Sequence, residues 1–241
     1  MQTASLVAGA STDVLRSMAE QLKVPLTTIA RQAELGQALG GAAPKDLDAM
    51  QVQAAAALNL VDCYLLGLAL AQGQKNLELE PVSLASALTG LAHKLYYLAR
   101  DSQVDIEVRV DGRYGPVMAN QRGLQAALSS LGYDMVEAAA AQSPGKARRF
   151  LICAVHRTPH GLVAGIYTRD SEVEAGHWRR ALGLRPKAAQ PLTSLSAGSS
   201  AGMFVADTIL QSMSTRLRVG RHKKAIGLAA TFQPSKQLAF V

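Results

Sequence analysis

Five histidines and two cysteines are the side chains of this 241-residue chain best suited to nucleophilic, acid–base or metal chemistry. Their spacing supports none of the three. His156 and His160 flank a predicted turn, His93 stands beside Lys94 in a predicted helix, and His177 and His222 adjoin Trp178 and Lys223. Each reads as a surface or packing histidine. No Ser/His/Asp arrangement, metal-ligand cluster or Walker-type loop occurs. Cys63 and Cys153 lie far apart in apolar surroundings and read as small buried hydrophobes of a reducing compartment. The sharper question is the stretch Glu20-Gln21-Leu22-Lys23-Val24-Pro25-Leu26-Thr27, which sets polar groups around a proline on an apolar helical pattern.

The elements that position these residues follow from periodicity. Ser11-Thr12-Asp13 offers N-caps for a helix to about Leu39, with Leu15, Met18, Leu22, Leu26, Ile29 and Ala33 at helical spacing. Pro25 lacks an N–H and crowds the preceding turn, so a kink is expected there. Gly40 to Pro44 stops this helix. A second, from Pro44 to Gln72, carries Leu47, Met50, Ala54, Leu58, Val61, Leu65 and Leu68 at steps of three and four. Such a seam predicts an antiparallel hairpin that pairs with a second copy as a four-helix bundle; packing on the rest of the chain is the alternative. The apolar run Ala54 to Gln72 is interrupted by Asn59 and Asp62 and reads as a buried or dimer-forming helix, short of a clean span of about 20 residues.

Beyond Glu80 the pattern changes. Helices are expected from Pro81 to Arg100, Asn120 to Ala141, Glu172 to Leu182 and Met203 to Met213. Strands are expected at Val104 to Val110, Phe150 to His156, Leu162 to Thr168, Arg216 to Val219 and Ile226 to Phe232, and Arg185 to Ser200 reads as a loop. This order describes an α+β fold with a mostly antiparallel sheet. Hydrophobic content of 49% with 18% charged residues excludes wholesale disorder. Charge is uneven: residues 1–110 carry −3 and residues 111–241 carry +10. The basic clusters fall at 146–149, 179–187 and 216–224. No zinc-finger spacing or RNA-binding aromatic signature accompanies them. The N-terminus has no basic region or long apolar core of a signal peptide, which predicts a cytoplasmic protein.

The whole order, and four stretches within it, resembles the transmitter core of bacterial sensor histidine kinases. The first stretch is similar to that family's His-Glu-Leu-Arg-Thr-Pro-Leu phosphoacceptor pattern, with Glu20 and Gln21 where the acceptor histidine and its neighbour stand. The second is Pro81-Val82-Ser83-Leu84, similar to the entry into the ATP-binding domain. The third is the helix from Asn120, which resembles the family's asparagine-bearing helix but places Ser130 and Asp134 at the two asparagines. Asp134 reads as a surface carboxylate with the chemistry to ligate a hard cation. The fourth is Gly198-Ser199-Ser200-Ala201-Gly202, which resembles the glycine-rich lid whose amides cradle phosphates at a helix N-terminus. The family's Asp-x-Gly-x-Gly segment has no counterpart in Thr168-Arg169-Asp170-Ser171-Glu172.

The resemblance implies a helical hairpin for dimerisation and phosphotransfer over residues 1–75 and an α/β sandwich of the histidine-kinase ATPase (Bergerat) type over 76–241. A carboxylate at Glu20 cannot act as an imidazole acceptor, and Gln21 removes the usual proton-accepting partner. With the nucleotide motifs also replaced, the expectation is that the chain is not an enzyme but a pseudokinase-like scaffold. It would form a homodimer and dock a response-regulator receiver domain or a kinase through Glu20, Lys23, Val24 and Thr27. No cofactor, metal or membrane contact is expected. One alternative keeps weak ATP and Mg²⁺ binding through Ser130, Asp134, Gly198 and Gly202. Another is a nucleic-acid-binding regulator using the basic half, which the missing recognition signatures do not favour.

Overall fold

The structure is a computed structural model that describes residues 22–23, 25–38, 41, 44–141, 149–169, 178, 182 and 201–235. Helix α1 covers residues 25–38, with 22–23 also helical. It buries Pro25 and Gly36 and leaves Lys23, Leu26, Thr27 and Leu35 exposed. The Gly41 N–H donates to the Gly36 carbonyl at 2.8 Å, and α2 (Pro44–Ala71) then begins. The kink expected at Pro25 and the residues before Leu22 lie outside the described residues.

The α/β part follows. Strand β1 (Glu80–Val82) leads into α3 (Leu84–Asp101), whose N-cap Ser83 accepts the Ser86 N–H at 3.3 Å. Strands β2 (Val104–Val110) and β3 (Val117–Ala119) precede α4 (Gln121–Ala141). The hairpin β4 (Arg149–Thr158) and β5 (Gly161–Thr168) comes next. Helix α5 (Ala201–Ser212) and the hairpin β6 (Leu217–His222) and β7 (Ala225–Phe232) complete it. The main sheet has the order β2-β4-β5-β7-β6; only β2 and β4 run parallel. The short β1 was not expected, since Pro81 was read as the start of a helix. Residues 117–119 pair with it, Pro81 opposite Met118.

Helices α3, α4 and α5 cover one face of the sheet. Leu88, Leu95, Leu124, Leu131, Leu151, Ile166, Ile209 and Leu228 are its fully buried large side chains, each contributing about 1.5–3 kcal/mol relative to exposure. Trp178 and Leu182 pack against this core.

Helix α2 packs against α4 and α5, but not through the expected seam. Gln53, Ala57, Leu60, Tyr64 and Gly67 are buried, whereas Leu47, Leu58 and Leu65 are 54%, 67% and 56% exposed. The helix is apolar nearly all round from Ala54, so side-chain size chooses between its faces. A Cβ on Gly67 would stand 3.0 Å from Val205 Cγ1, so this face makes the close approach and Leu47, Leu58 and Leu65 are left outside. Over Asp46–Ala71 the helix is long and apolar enough to cross a membrane, by length and composition alone.

The other face of the sheet is closed by its own curvature. Asp111, just past β2, reaches the far edge: its Oδ2 lies 3.6 Å from His222 Nε2 and 3.2 Å from Lys223 Nζ. Between them Ile152, Ala154, Tyr167, Ala225 and Ala229 form a second, small buried cluster. Gly227, opposite Tyr167, permits this. A Cβ there would strike the Ile166 carbonyl and come within 2.5 Å of Tyr167 Cα.

Candidate functional site

The site residues expected on α4 and α5 come together where the two helices meet. Asn120 caps α4: its Oδ1 accepts the Gly123 N–H at 2.8 Å, and its Nδ2 donates to the Glu78 carbonyl at 2.9 Å. One turn apart further along, Ser130 is buried and Asp134 half-buried. The Met203 N–H, in the first turn of α5, donates to Asp134 Oδ2 at 2.7 Å. A Cβ on Gly202 would fall 2.5 Å from both Asp134 Oδ1 and the Ser130 carbonyl oxygen. Glycine at 202 is therefore what lets α5 start against α4.

This geometry corrects the reading of Asp134 as a surface carboxylate. It is a cap supplied from another helix, set where unpaired amides and the positive end of the helix dipole attract an anion. A phosphate approaching those amides would meet the carboxylate first. Two like charges about 4 Å apart near a protein surface repel by about 4 kcal/mol, more than one helix terminus returns.

Ser130, in turn, does not face solvent. Its hydroxyl lies against the Cys63 thiol, whose pKa burial raises and the hydrogen bond with Ser130 partly lowers again. Burial also pushes the neighbouring Tyr133 phenol up to about 12. Neither group is poised to move a proton near neutrality.

Of the α1 residues, Lys23 and Thr27 are exposed one turn apart and share a face. Leu26 lies between them, 55% exposed. Glu20, Gln21, Val24 and Gly198 lie outside the described residues, as do the helix expected at 172–182, apart from Trp178 and Leu182, and the loop at 185–200. At the end of β5, Thr168 is buried, and the Arg169 guanidinium lies over the Phe150 ring at 5.5 Å and 3.9 Å from Glu107. Of the basic clusters, Arg216, Arg218, Arg221, Lys223 and Lys224 line the edge strand β6 and its turn, all exposed. Among the described residues no trio of His, Cys, Asp or Glu is placed to hold a metal ion.

One working residue was not anticipated. Asp207 on α5 is buried; its Oδ1 accepts the Leu217 N–H at 3.0 Å, and its Oδ2 accepts from Gln211. It fixes the start of β6 to α5. A lone acid in the largely apolar Met203–Leu210 segment is the signal that marks it, since a buried carboxylate needs donors.

No family model matches the sequence, and no curated protein is significantly similar to it. Its fold, however, is that of a histidine-kinase core. The Acinetobacter baumannii histidine kinase AdeS superposes with a TM-score of 0.50 at 11% identity, over 89% of this chain and 98% of that one. The cytoplasmic segment of the histidine kinase QseC gives 0.47 at 10%, over 76% and 93%. A bacterial phosphotransferase gives 0.43 at 11%, over 91% and 94%. The likeness to AdeS overturns one expectation. The conclusion that the chain is not an enzyme was drawn from missing motif residues, and it conflicts with a fold like that of a histidine kinase.

Proposed function

We propose that this chain acts in two-component phosphosignalling, as a cytoplasmic, dimeric, histidine-kinase-like core that docks the receiver domain of a response regulator on the outer face of α1. The observation that carries this reading is how α1 divides its residues. Pro25 is buried and Leu22 half-buried against the core, while Lys23, Leu26 and Thr27 stay in solvent. An exposed leucine between a cation and a hydroxyl has the composition of an anchor with a polar rim. The seam of Leu47, Leu58 and Leu65 supplies the dimer contact, which keeps α2 in a bundle.

Immobilising the full chain and titrating a panel of receiver domains tests the docking. Lys23→Glu and Leu26→Asp should each weaken the best binder by at least about tenfold, or about 1.4 kcal/mol. A panel with no binder, or a binder indifferent to both substitutions, would remove the proposal.

A second reading, a nucleotide-responsive switch, is supported by the convergence of Ser130, Asp134 and Gly202. It requires Asp134 either to hold Mg²⁺ or to leave the Met203 N–H. Calorimetric titration of ATP with Mg²⁺ separates the two routes. Asp134→Asn weakens binding if the carboxylate holds the cation, and strengthens it if the carboxylate only blocks the amides. No heat with either protein ends this reading.

A further inference from the structure

The outer face of the sheet holds polar groups that neither the docking surface nor the α4–α5 junction uses. Three rings meet there: His156 from β4, Tyr167 from β5 and His222 from β6. Their centroids lie 5.0 Å apart for the two histidines, 5.5 Å for Tyr167 and His222, and 6.3 Å for His156 and Tyr167. Tyr167 is fully buried and His222 is 4% exposed. His156 Nδ1, Tyr167 Oη and His222 Nε2 are all buried without a hydrogen-bond partner. A buried polar group left without a partner forfeits its hydration, so this face is held closed at a disadvantage.

What holds it is the ion pair of Asp111 with Lys223, beside which His222 Nε2 stands unbonded, 3.6 Å from Asp111. Among the described residues, the charged groups around the imidazoles come from three places. From the β2 side come Asp111 and Arg109, the latter bound through two nitrogens to Glu107 at 2.6 and 2.7 Å. From the β6–β7 turn comes Lys223, and from the end of β5 Arg169, 3.9 Å from Glu107; β4 and β5 supply His156 and Tyr167, and β7 presents uncharged residues, Ala225, Gly227 and Ala229 among them. One carboxylate, already engaged by Lys223, thus faces two imidazoles. Since no trio of ligands among the described residues can hold a metal, a proton is the simplest guest these imidazoles can take.

We propose that this cluster is a proton-released clasp: proton uptake by His156 and His222 separates Asp111 from the β6–β7 turn and exposes the apolar outer face of the sheet. Two imidazolium ions joining Lys223, Arg109 and Arg169 would put five cations around Asp111 and Glu107, with the His222 ring itself buried. Opening hydrates the rings and relieves that repulsion. Burial lowers the pKa of both histidines, outweighing the upward pull of Asp111. A group whose pKa is depressed in the closed form favours that form above its ordinary value and loses the advantage as pH falls. The window therefore lies below the ordinary histidine value of about 6.5. Asp111, held below its usual range chiefly by Lys223, stays charged across it.

Amide hydrogen exchange of the full chain, corrected for the intrinsic pH dependence, tests this between pH 7.5 and 5. Peptides covering 161–168 and 217–232 should lose protection with falling pH, by up to about tenfold per pH unit for each linked proton. Peptides from α3 and α4 should not. In the His156→Gln/His222→Gln protein the profile should be flat. A direct NMR titration of the imidazole ring protons covers the case in which that variant does not fold: both should titrate below 6.5. Unchanged or increased protection of 217–232 at low pH, or a histidine titrating above 6.5, overturns the clasp.

Discussion

Replacing Asp134 by Ala takes the acceptor away from the Met203 N–H and the negative charge away from the start of α5. Loss of a helix cap costs about 1 kcal/mol, which for a chain of this size lowers Tm by roughly 2–4 °C in a thermal melt. Gly202→Ala tests the same junction from the other side. In an open helix the change gains up to about 1 kcal/mol. Here the new Cβ meets a backbone carbonyl and the Asp134 carboxylate at 2.5 Å, so unfolding at lower denaturant is expected, by about 1–3 kcal/mol. A Gly202→Ala protein as stable as the parent would show that α5 does not start against α4. Ser130, Asp134 and Gly202 were legible as candidates because the resemblance to the histidine-kinase family placed them at that family's asparagines and glycine-rich lid. Their mutual contact was not, since nothing local sets how two helices some seventy residues apart approach each other. Glu107 and Arg109, two apart on one strand face, form the kind of pair that alternation alone does reveal.

At the scale of elements, α2 carries two apolar faces, and they make opposite predictions. Leu58→Asp with Leu65→Asp alters the exposed face. The protein should keep its circular dichroism but elute as a monomer by light scattering if that face joins two copies. Tyr64→Ala alters the buried face and should destabilise the chain by about 3–5 kcal/mol, whatever its oligomeric state. Periodicity located this helix to within a residue, and it located α3, α4 and the β4–β5 hairpin nearly as well. It could not choose the buried seam, because a helix apolar all round has no contrast to read. It also missed the ribbon of β1 and β3, whose three-residue strands are too short for any alternation to stand out.

For the whole molecule, element order together with four stretches of sequence carried the resemblance to histidine-kinase cores, and the fold agrees with it. The inference from absent motif residues to absent activity went further than residue identities allow, and the fold contradicts it. The coiling of the sheet was also invisible, since contact between its outermost strands depends on twist summed over five strands. One close approach links the parts. Asp134 fixes the start of α5, and in the next turn the side of α5 at Val205 rests on Gly67 of α2. The cap and the exposed leucines of α2 thus sit at two ends of one lever, with Gly67 as its bearing. If those leucines join two copies, loosening the cap should be felt as a changed dimer dissociation constant in Asp134→Ala, although no atom of Asp134 belongs to that face.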